Sequence, residues 1–376
     1  MLTSSRNAPR DFLLKETRGH SSNGCSLLNL RIVRGPLQRE ENETVLSEYN
    51  KRIDSPQILM PEFLHWVQEC PDGPAWHAIL ESDSHGIVGH QCFIPLRSDW
   101  RGRRLVAAKS EYTFLFDDFQ TARIRGLEGI KRPTHIVAAN QLVQRCQGEA
   151  WGPFLISTIP SLRRRGFYGF ISTDFPLWEC LLVLRPIVAA RETQHIPGWQ
   201  KWGLMVGGTA QRIVWWPAAL LAPRDRPLRL SNHDSALPRR PGPLTFFEDL
   251  ESLRWRYSAA DYERVSLNGQ NSAYVIYKKG SANQYMRICQ WSLEGGALTF
   301  PQIAGLVQVA QREGAMGVRW AIYGQDESAR ALVRRLRWLG FLCVPRARTL
   351  QVKSAEGEFL LPENWNLTDA MFSFHW

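Results

Sequence analysis

The chain has 376 residues, 44% hydrophobic and 22% charged, with 46 Lys or Arg against 36 Asp or Glu and a formal net charge of +10. That length suits two domains, the composition is globular, and no apolar run approaches the ~20 residues that a membrane-spanning helix requires. The seven cysteines are odd in number, scattered and without a CxxC pair, and the nine histidines are equally dispersed, a pattern that favours reduced core thiols over disulfides or a metal site.

The opening "MLTSSRNAPRDFLLKETRGHSSNG" lacks an apolar stretch of signal-peptide length, so a disordered lead-in over residues 1–25 of a cytoplasmic protein is expected. A mitochondrial address fits less well, because Asp11 and Glu16 interrupt the basic pattern. Strand patterns follow in "WHAILES", "GIVGHQCFIPL" and "RRLVAAKSEYTFLF". A helix then places Ile136, Ala139, Val143 and Cys146 on one face and stops near Gly148. Residues 151–170, "WGPFLISTIPSLRRRGFYGF", run from an apolar stretch through a basic triplet to a Gly-Phe pair and a second apolar stretch.

The same order recurs. "SAYVIYKK" and "YMRICQWSL" read as strands, and Thr299 and Gln302 stand at capping-box spacing with Pro301 in the first turn. Ile303, Leu306, Val307 and Ala310 form one helix face before Gly314. "GVRWAIYGQDESARALVRRLRWLGFLCV", residues 317–344, then repeats strand, arginine-rich helix and Gly-Phe, so that Gly340 and Phe341 align with Gly166 and Phe167. Residues 221–244, "LAPRDRPLRLSNHDSALPRRPGPL", are rich in proline and arginine without periodicity and read as a linker. The expected organisation is an N-terminal lobe over 26–220 and a C-terminal lobe over 245–376.

The positive charge suits either a soluble arginine-rich surface or an anionic ligand. No aromatic-and-basic stripe, zinc finger or helix-turn-helix pattern points to nucleic acid, whereas a phosphorylated cofactor needs only a local cationic patch.

An antiparallel sheet with a helix before its fifth strand, then a helix ending in Gly-Phe and a last strand, resembles the GNAT superfamily of acyl-CoA-dependent N-acyltransferases. More closely, the chain is similar to the tandem GNAT-type proteins often encoded with bacterial polysaccharide genes. The residues that carry the likeness are "GIVGHQCFIPL" with "AAKSEYTFLF", "LRWRYSAADY" at 253–262 and "NWNLTDAMF" near the end. The resemblance implies an α+β fold of two tandem lobes, each a mixed, mostly antiparallel sheet flanked by helices. It also implies acetyl-CoA or another acyl-CoA as co-substrate and a small-molecule amine as acceptor.

In that family a loop of Gln or Arg, two residues, Gly, one residue, then Gly or Ala cradles the pyrophosphate at the start of the central helix. "RIRGLEG" is the best match: Arg123 and Gly126 fit, Glu128 stands where a small residue is usual, and Gly129 comes one place late. A carboxylate there repels a pyrophosphate, so either the loop is re-registered around Gly126 and Gly129 or the lobe binds CoA weakly; the other reading of the segment is an ordinary glycine turn with exposed arginines. Phe116, Arg123, Arg125, Gly126 and Gly129 are the candidate cofactor-binding residues. "SLEGGALTFPQ" has no arginine at the required spacing, so one cofactor site, in the first lobe, is expected.

The chemistry requires a base for the attacking ammonium, a donor for the oxyanion and an acid for the thiolate. Glu111 in "KSEYTFLF" is the candidate base, with Tyr112 on the opposite strand face by alternation; its other reading is a structural ion pair with Lys109 or a nearby arginine. Leu162 and Leu336 stand where many members have a tyrosine acid. Tyr168 is the candidate replacement, or else core packing. Arg163, Arg164 and Arg165 either meet the adenosine phosphate or face water. Trp199, Trp202, Trp215, Trp216, Trp255, Trp291 and Trp365 either line a sugar cleft or pack inside the lobes.

Two other activities fit the resemblance. One is a catalytically silent binding module, consistent with the irregular loop and the absent tyrosine. The other is aminoacyl transfer from charged tRNA, although the long helical insertion of such two-lobed enzymes is missing.

Overall fold

The computed structural model describes residues 27–52, 67, 69–148, 154–157, 171–192, 198–220, 244–246, 250–257, 262–266, 274–292, 298–324, 326–354, 356–365 and 367. The expected lead-in over 1–25, all of the expected 221–244 linker except Leu244, the basic triplet and the first Gly-Phe pair lie outside them.

The first half comprises β1 (Leu27–Arg34), α1 (Arg39–Arg52), β2 (Trp76–Ser82), β3 (Gly86–Trp100), β4 (Arg103–Leu115), β5 (Arg123–Ile124), α2 (Thr134–Gly148), β6 (Phe154–Ser157) and β7 (Ile171–Val183). A helical pair, α3 (Pro186–Glu192) and α4 (Gly198–Leu220), follows. The second half comprises β8 (Thr245–Phe246), α5 (Leu250–Arg256), β9 (Tyr262–Ser266), β10 (Tyr274–Lys278), β11 (Tyr285–Ser292), α6 (Phe300–Arg312), β12 (Gly317–Tyr323), α7 (Glu327–Trp338) and β13 (Leu342–Ser354).

Local sequence accounts for the clearest elements. β2 is buried along nearly its whole length because both sheet faces are covered there, so its apolar run needs no alternation. The Thr299 amide donates to Gln302 Oε1 at 2.9 Å, and Ile303, Leu306, Val307 and Ala310 of α6 are buried as their spacing predicts. The Asp326 carboxylate accepts from the Ala329 amide at 2.7 Å and caps α7, whose apolar face of Ala329, Leu332, Val333 and Leu336 is buried. Gly340 ends that helix at φ +85°, a left-handed conformation that favours glycine.

The two halves share one 13-stranded sheet, in the order β5-β1-β2-β3-β4-β6-β13-β7-β12-β11-β10-β9 with β8 beside β3. The order is nearly palindromic, and at its centre each half hands a strand to the other. β13, the last strand of the second half, lies between β6 and β7 of the first, paired antiparallel with both. β7 in turn pairs antiparallel with β12 from Gly317↔Val183 to Tyr323↔Leu177. The second sheet therefore extends the first. Residues 244–246, at the expected boundary, are tied to both halves: Thr245 and Phe246 pair with Asp99 and Ser98 of β3, and the Leu244 amide donates to the Asn364 carbonyl.

The core follows this interleaving. One cluster on one sheet face joins Cys92, Ile94, Leu105 and Ala107 of the first half to Tyr274, Ile276, Leu350 and Trp365 of the second. Under α2 on the other face lie Trp76, Ala78, Phe93 and Ala108, and α6 and α7 cover Val275, Ile288, Val318 and Trp320. Cys70, Cys92, Cys180, Cys289 and Cys343 are buried thiols outside any disulfide.

Candidate functional site

β4 and β6 run parallel but pair only at Ala108↔Leu155 and Lys109↔Ile156. Among the described residues no strand pairs with β4 on that side beyond Lys109, nor with β13 on its β6 side before Gln351, and this unpaired stretch between the two edges is the fork. The β3–β4 register accommodates one extra β4 residue between the pairs Cys92↔Glu111 and His90↔Phe114, a β-bulge that bends the strand just past the fork. This bulge interrupts the simple alternation expected beyond Glu111. The backbone of Glu111 thus stands two residues past the last β6 pair, at the root of the fork.

The strand registers place the other features at the end toward which the fork opens. Leu28 is opposite Ser82, Gly86 opposite the same serine, Gly89 opposite Leu115, and Leu27 beside Arg123. The start of β1, the carboxyl end of β4 and the segment 123–129 therefore lie along one edge of the molecule.

"RIRGLEG" does not open the helix, as the family pattern requires. α2 begins at Thr134, and β5 pairs with β1 at the rim of the sheet, four strand positions or about 19 Å from β4. The physical reason is Ile124, which buries with Leu28, Leu80 and Val137 and draws the segment to the rim. The helix start is fixed by Thr134, whose hydroxyl lies within 3.0 Å of the Phe119, Gln120 and Ala122 carbonyl oxygens. Pro133 immediately before it was the available sequence signal.

Each candidate cofactor-binding residue has a defined setting. Phe116 packs with Phe114 and Phe119 at ring-centroid distances of 6.3 Å. Arg123 donates to the Ile130 carbonyl at 3.1 Å and closes the loop on itself, while Arg125 pairs with Asp83 at 3.3 Å. Gly126 adopts φ +78°, and a Cβ at Gly126 or Gly129 would meet no atom within 4 Å. The Gly126 amide donates to Glu128 Oε1 at 2.9 Å. Hydrogen bonds from its own amide and then from Gly126, followed by the charge of Arg125, hold the Glu128 carboxyl below the usual range. The loop is thus a backbone nest whose bound anion is its own carboxylate.

Sequence reasoning missed a buried histidine pair beside this site. His77, Cys92 and Glu111 occupy one rung across β2, β3 and β4. His77 Nδ1 and His90 Nε2 share a hydrogen bond of 3.1 Å, with both rings almost fully buried. Burial first, and the neighbouring His90 second, depress the His77 pKa to about 3, so the ring is neutral at physiological pH. His77 Nε2 is buried without a partner.

Tyr168 and Arg163 to Arg165 lie outside the described residues, as do the side chains of Glu111, Trp199, Trp215 and Trp216. The remaining tryptophans do not meet in one cleft. Trp255 and Trp365 are core residues, Trp291 stacks edge-on against Trp320 on the opposite sheet face, and Trp202 is exposed on α4.

The second half has its own fork, since β11 and β12 pair in parallel only from Tyr285↔Gly317 to Ile288↔Trp320, with a bulge at Cys289 of β11. It opens toward the opposite end of the sheet. Beyond the bulge, buried Gln290 accepts a hydrogen bond from Tyr257 Oη of the segment after α5 at 3.0 Å.

No family model matches the sequence, and no curated protein does. Among solved structures, a conserved protein of unknown function from Enterococcus faecalis V583, described as a probable N-acyltransferase, is similar over 89% of this chain and 75% of its own, at 11% identity and a TM-score of 0.50. A GCN5-related N-acetyltransferase from Kribbella flavida is similar over 86% of this chain and 72% of its own, at 12% identity and a TM-score of 0.48. The first of these likenesses shows the fold, an α+β architecture.

Proposed function

We propose that the chain is an N-acyltransferase that moves an acyl group, acetyl in the simplest case, from acyl-CoA to the primary amine of a sugar or another small metabolite. The observation that carries this reading is the fork between β4 and β6, with a bulge at its root and Glu111 on the strand between them. The edge of β4 beyond Lys109 offers backbone donors and acceptors to an extended amide-containing arm, in the manner of an added strand. The nest at Gly126 suits a phosphate, because Glu128 already serves there as a stand-in anion and the space around Gly126 and Gly129 is open. Fork and nest open at the same end of the sheet, and Arg125 stands beside the nest.

Acyl-CoA supplies an activated thioester carbonyl. Glu111 takes a proton from the acceptor's ammonium as the nitrogen attacks that carbonyl, and a β4 amide stabilises the oxyanion. As the C–S bond breaks, the departing thiolate receives a proton from Tyr168 or from solvent. The Tyr257–Gln290 contact at the second fork supports a single cofactor site, in the first half.

Mass spectrometry of gently purified protein tests the reading: a retained acyl-CoA is expected, and Gly126→Asp should abolish it by filling the nest with fixed negative charge. Retention that Gly126→Asp leaves unchanged would move the cofactor elsewhere. Failure of the wild-type chain to bind any acyl-CoA, even when it is added, would remove the proposal. Binding without turnover on amines would favour a silent module.

A further inference from the structure

The α3–α4 pair projects from β7 and is fixed to it along one side of α4. The Gln211 side-chain amide accepts from the Val183 amide at 3.0 Å and donates to the Leu181 carbonyl at 3.2 Å, replacing ladder bonds where β13 no longer pairs. Gly208 sits so close to Pro186 and Val183 that a Cβ there would lie 2.8 Å from the proline ring. At about 100° per residue, Trp202, Met205, Val206 and Ile213 fall within an arc of roughly 100°, centred nearly opposite Gln211. All four are exposed, Trp202 at 64% and Ile213 at 69% of the residue's full exposure. An apolar stripe held outward by the helix's own attachment is more than a scattered surface hydrophobe.

The charge around this stripe indicates what covers it. The described residues from Arg185 to Lys201 carry three cations, Arg185, Arg191 and Lys201, against one carboxylate, Glu192. Arg185 and Arg191 on the α3 side are exposed and Lys201 is half-buried. Two copies packed stripe to stripe would bring like charges together. A negatively charged lipid surface complements the cations and receives the tryptophan and aliphatic side chains at its polar boundary. No helix among the described residues is long and apolar enough to cross a membrane, so α4 would lie on the surface. We infer that the exposed face of α4 docks the protein onto an anionic bilayer. This inference is independent of the acyltransferase reading.

The test is co-sedimentation of the full chain with phosphatidylcholine vesicles made with and without phosphatidylglycerol, at low and high salt. Binding is expected only to the anionic vesicles, and it should weaken as salt rises. The double substitution Trp202→Ser with Ile213→Ser should lower the partition coefficient by roughly 100-fold, about tenfold for each side chain withheld from the lipid. Circular dichroism checks that the variant is folded. If it is not, Arg191→Glu with Lys201→Glu should lower binding by severalfold. Absence of binding to anionic vesicles, binding that both variants leave unchanged, or a dimer in solution that the serine substitutions dissociate would each overturn the inference.

Discussion

The buried histidine pair makes a quantitative statement about acid stability. His77 has a folded pKa of about 3 against 6.5 for an unperturbed ring, so between those values the unfolded chain binds a proton that the native chain refuses. Stability is therefore unaffected above pH ~6.5 and falls as pH drops, by up to about 1.4 kcal/mol per unit. At pH ~4.5 the loss from this one ring is about 2.7 kcal/mol. Few carboxylates protonate above that pH, so the window belongs largely to histidine. His77→Gln keeps a polar partner for His90 Nε2 but cannot titrate. Urea unfolding of both proteins at several pH values should give a curve of stability against pH that is flatter for His77→Gln by about that slope, whatever the offset at neutral pH. Parallel curves would refute the assignment of a neutral, proton-refusing ring at the His77–His90 contact.

Two further outcomes follow from the geometry. Glu111→Gln should reduce turnover by ~10²- to 10⁴-fold with acyl-CoA affinity nearly intact, and raising the pH should partly restore the rate by deprotonating the amine in solution; full turnover would remove the catalytic role, and a misfolded product would favour the ion-pair role. At the junction of the halves, a Cβ on Gly317 would lie 2.2 Å from the Leu182 carbonyl oxygen and 2.7 Å from the Tyr285 ring. Gly317→Ala should therefore cost roughly 3 kcal/mol or more in chemical denaturation, and a loss below ~0.5 kcal/mol would show that β12 shifts without penalty.

The sequence made the regular elements legible where periodicity or capping was strong. "WHAILES" is β2 residue for residue, and the capping box at Thr299 marks the start of α6. Gly340, matched to Gly166 by repeat, ends α7 as expected. α1 was hidden because "REENETVLSEYNKR" is almost wholly polar and buries only Val45 and Leu46. The exchange of β7 and β13 was beyond reach, since an apolar strand carries no record of which neighbour it will pair with. At the site, "RIRGLEG" reads from sequence as a phosphate loop at a helix start or as an ordinary glycine turn; Gly126 does turn the chain at positive φ, and Ile124 decided where that turn lies. His77 and His90 escaped notice because their proximity depends on the β2–β3 register, and neither spacing nor charge announces it.

The position of β13 also governs how the chain can reach its native state. As the last of the described strands to leave the ribosome, it is required at the centre of the sheet, between two strands made some 170 residues or more earlier. The first half can collapse around α2 and its antiparallel strands while synthesis continues, yet β6 and β7 stay apart until residues 342–354 emerge. Such long-range closure makes folding slow and leaves an incomplete nascent sheet with strand edges open to wrong partners. Loss of β13 would accordingly injure the N-terminal fork first, at a site encoded more than 200 residues upstream of the break.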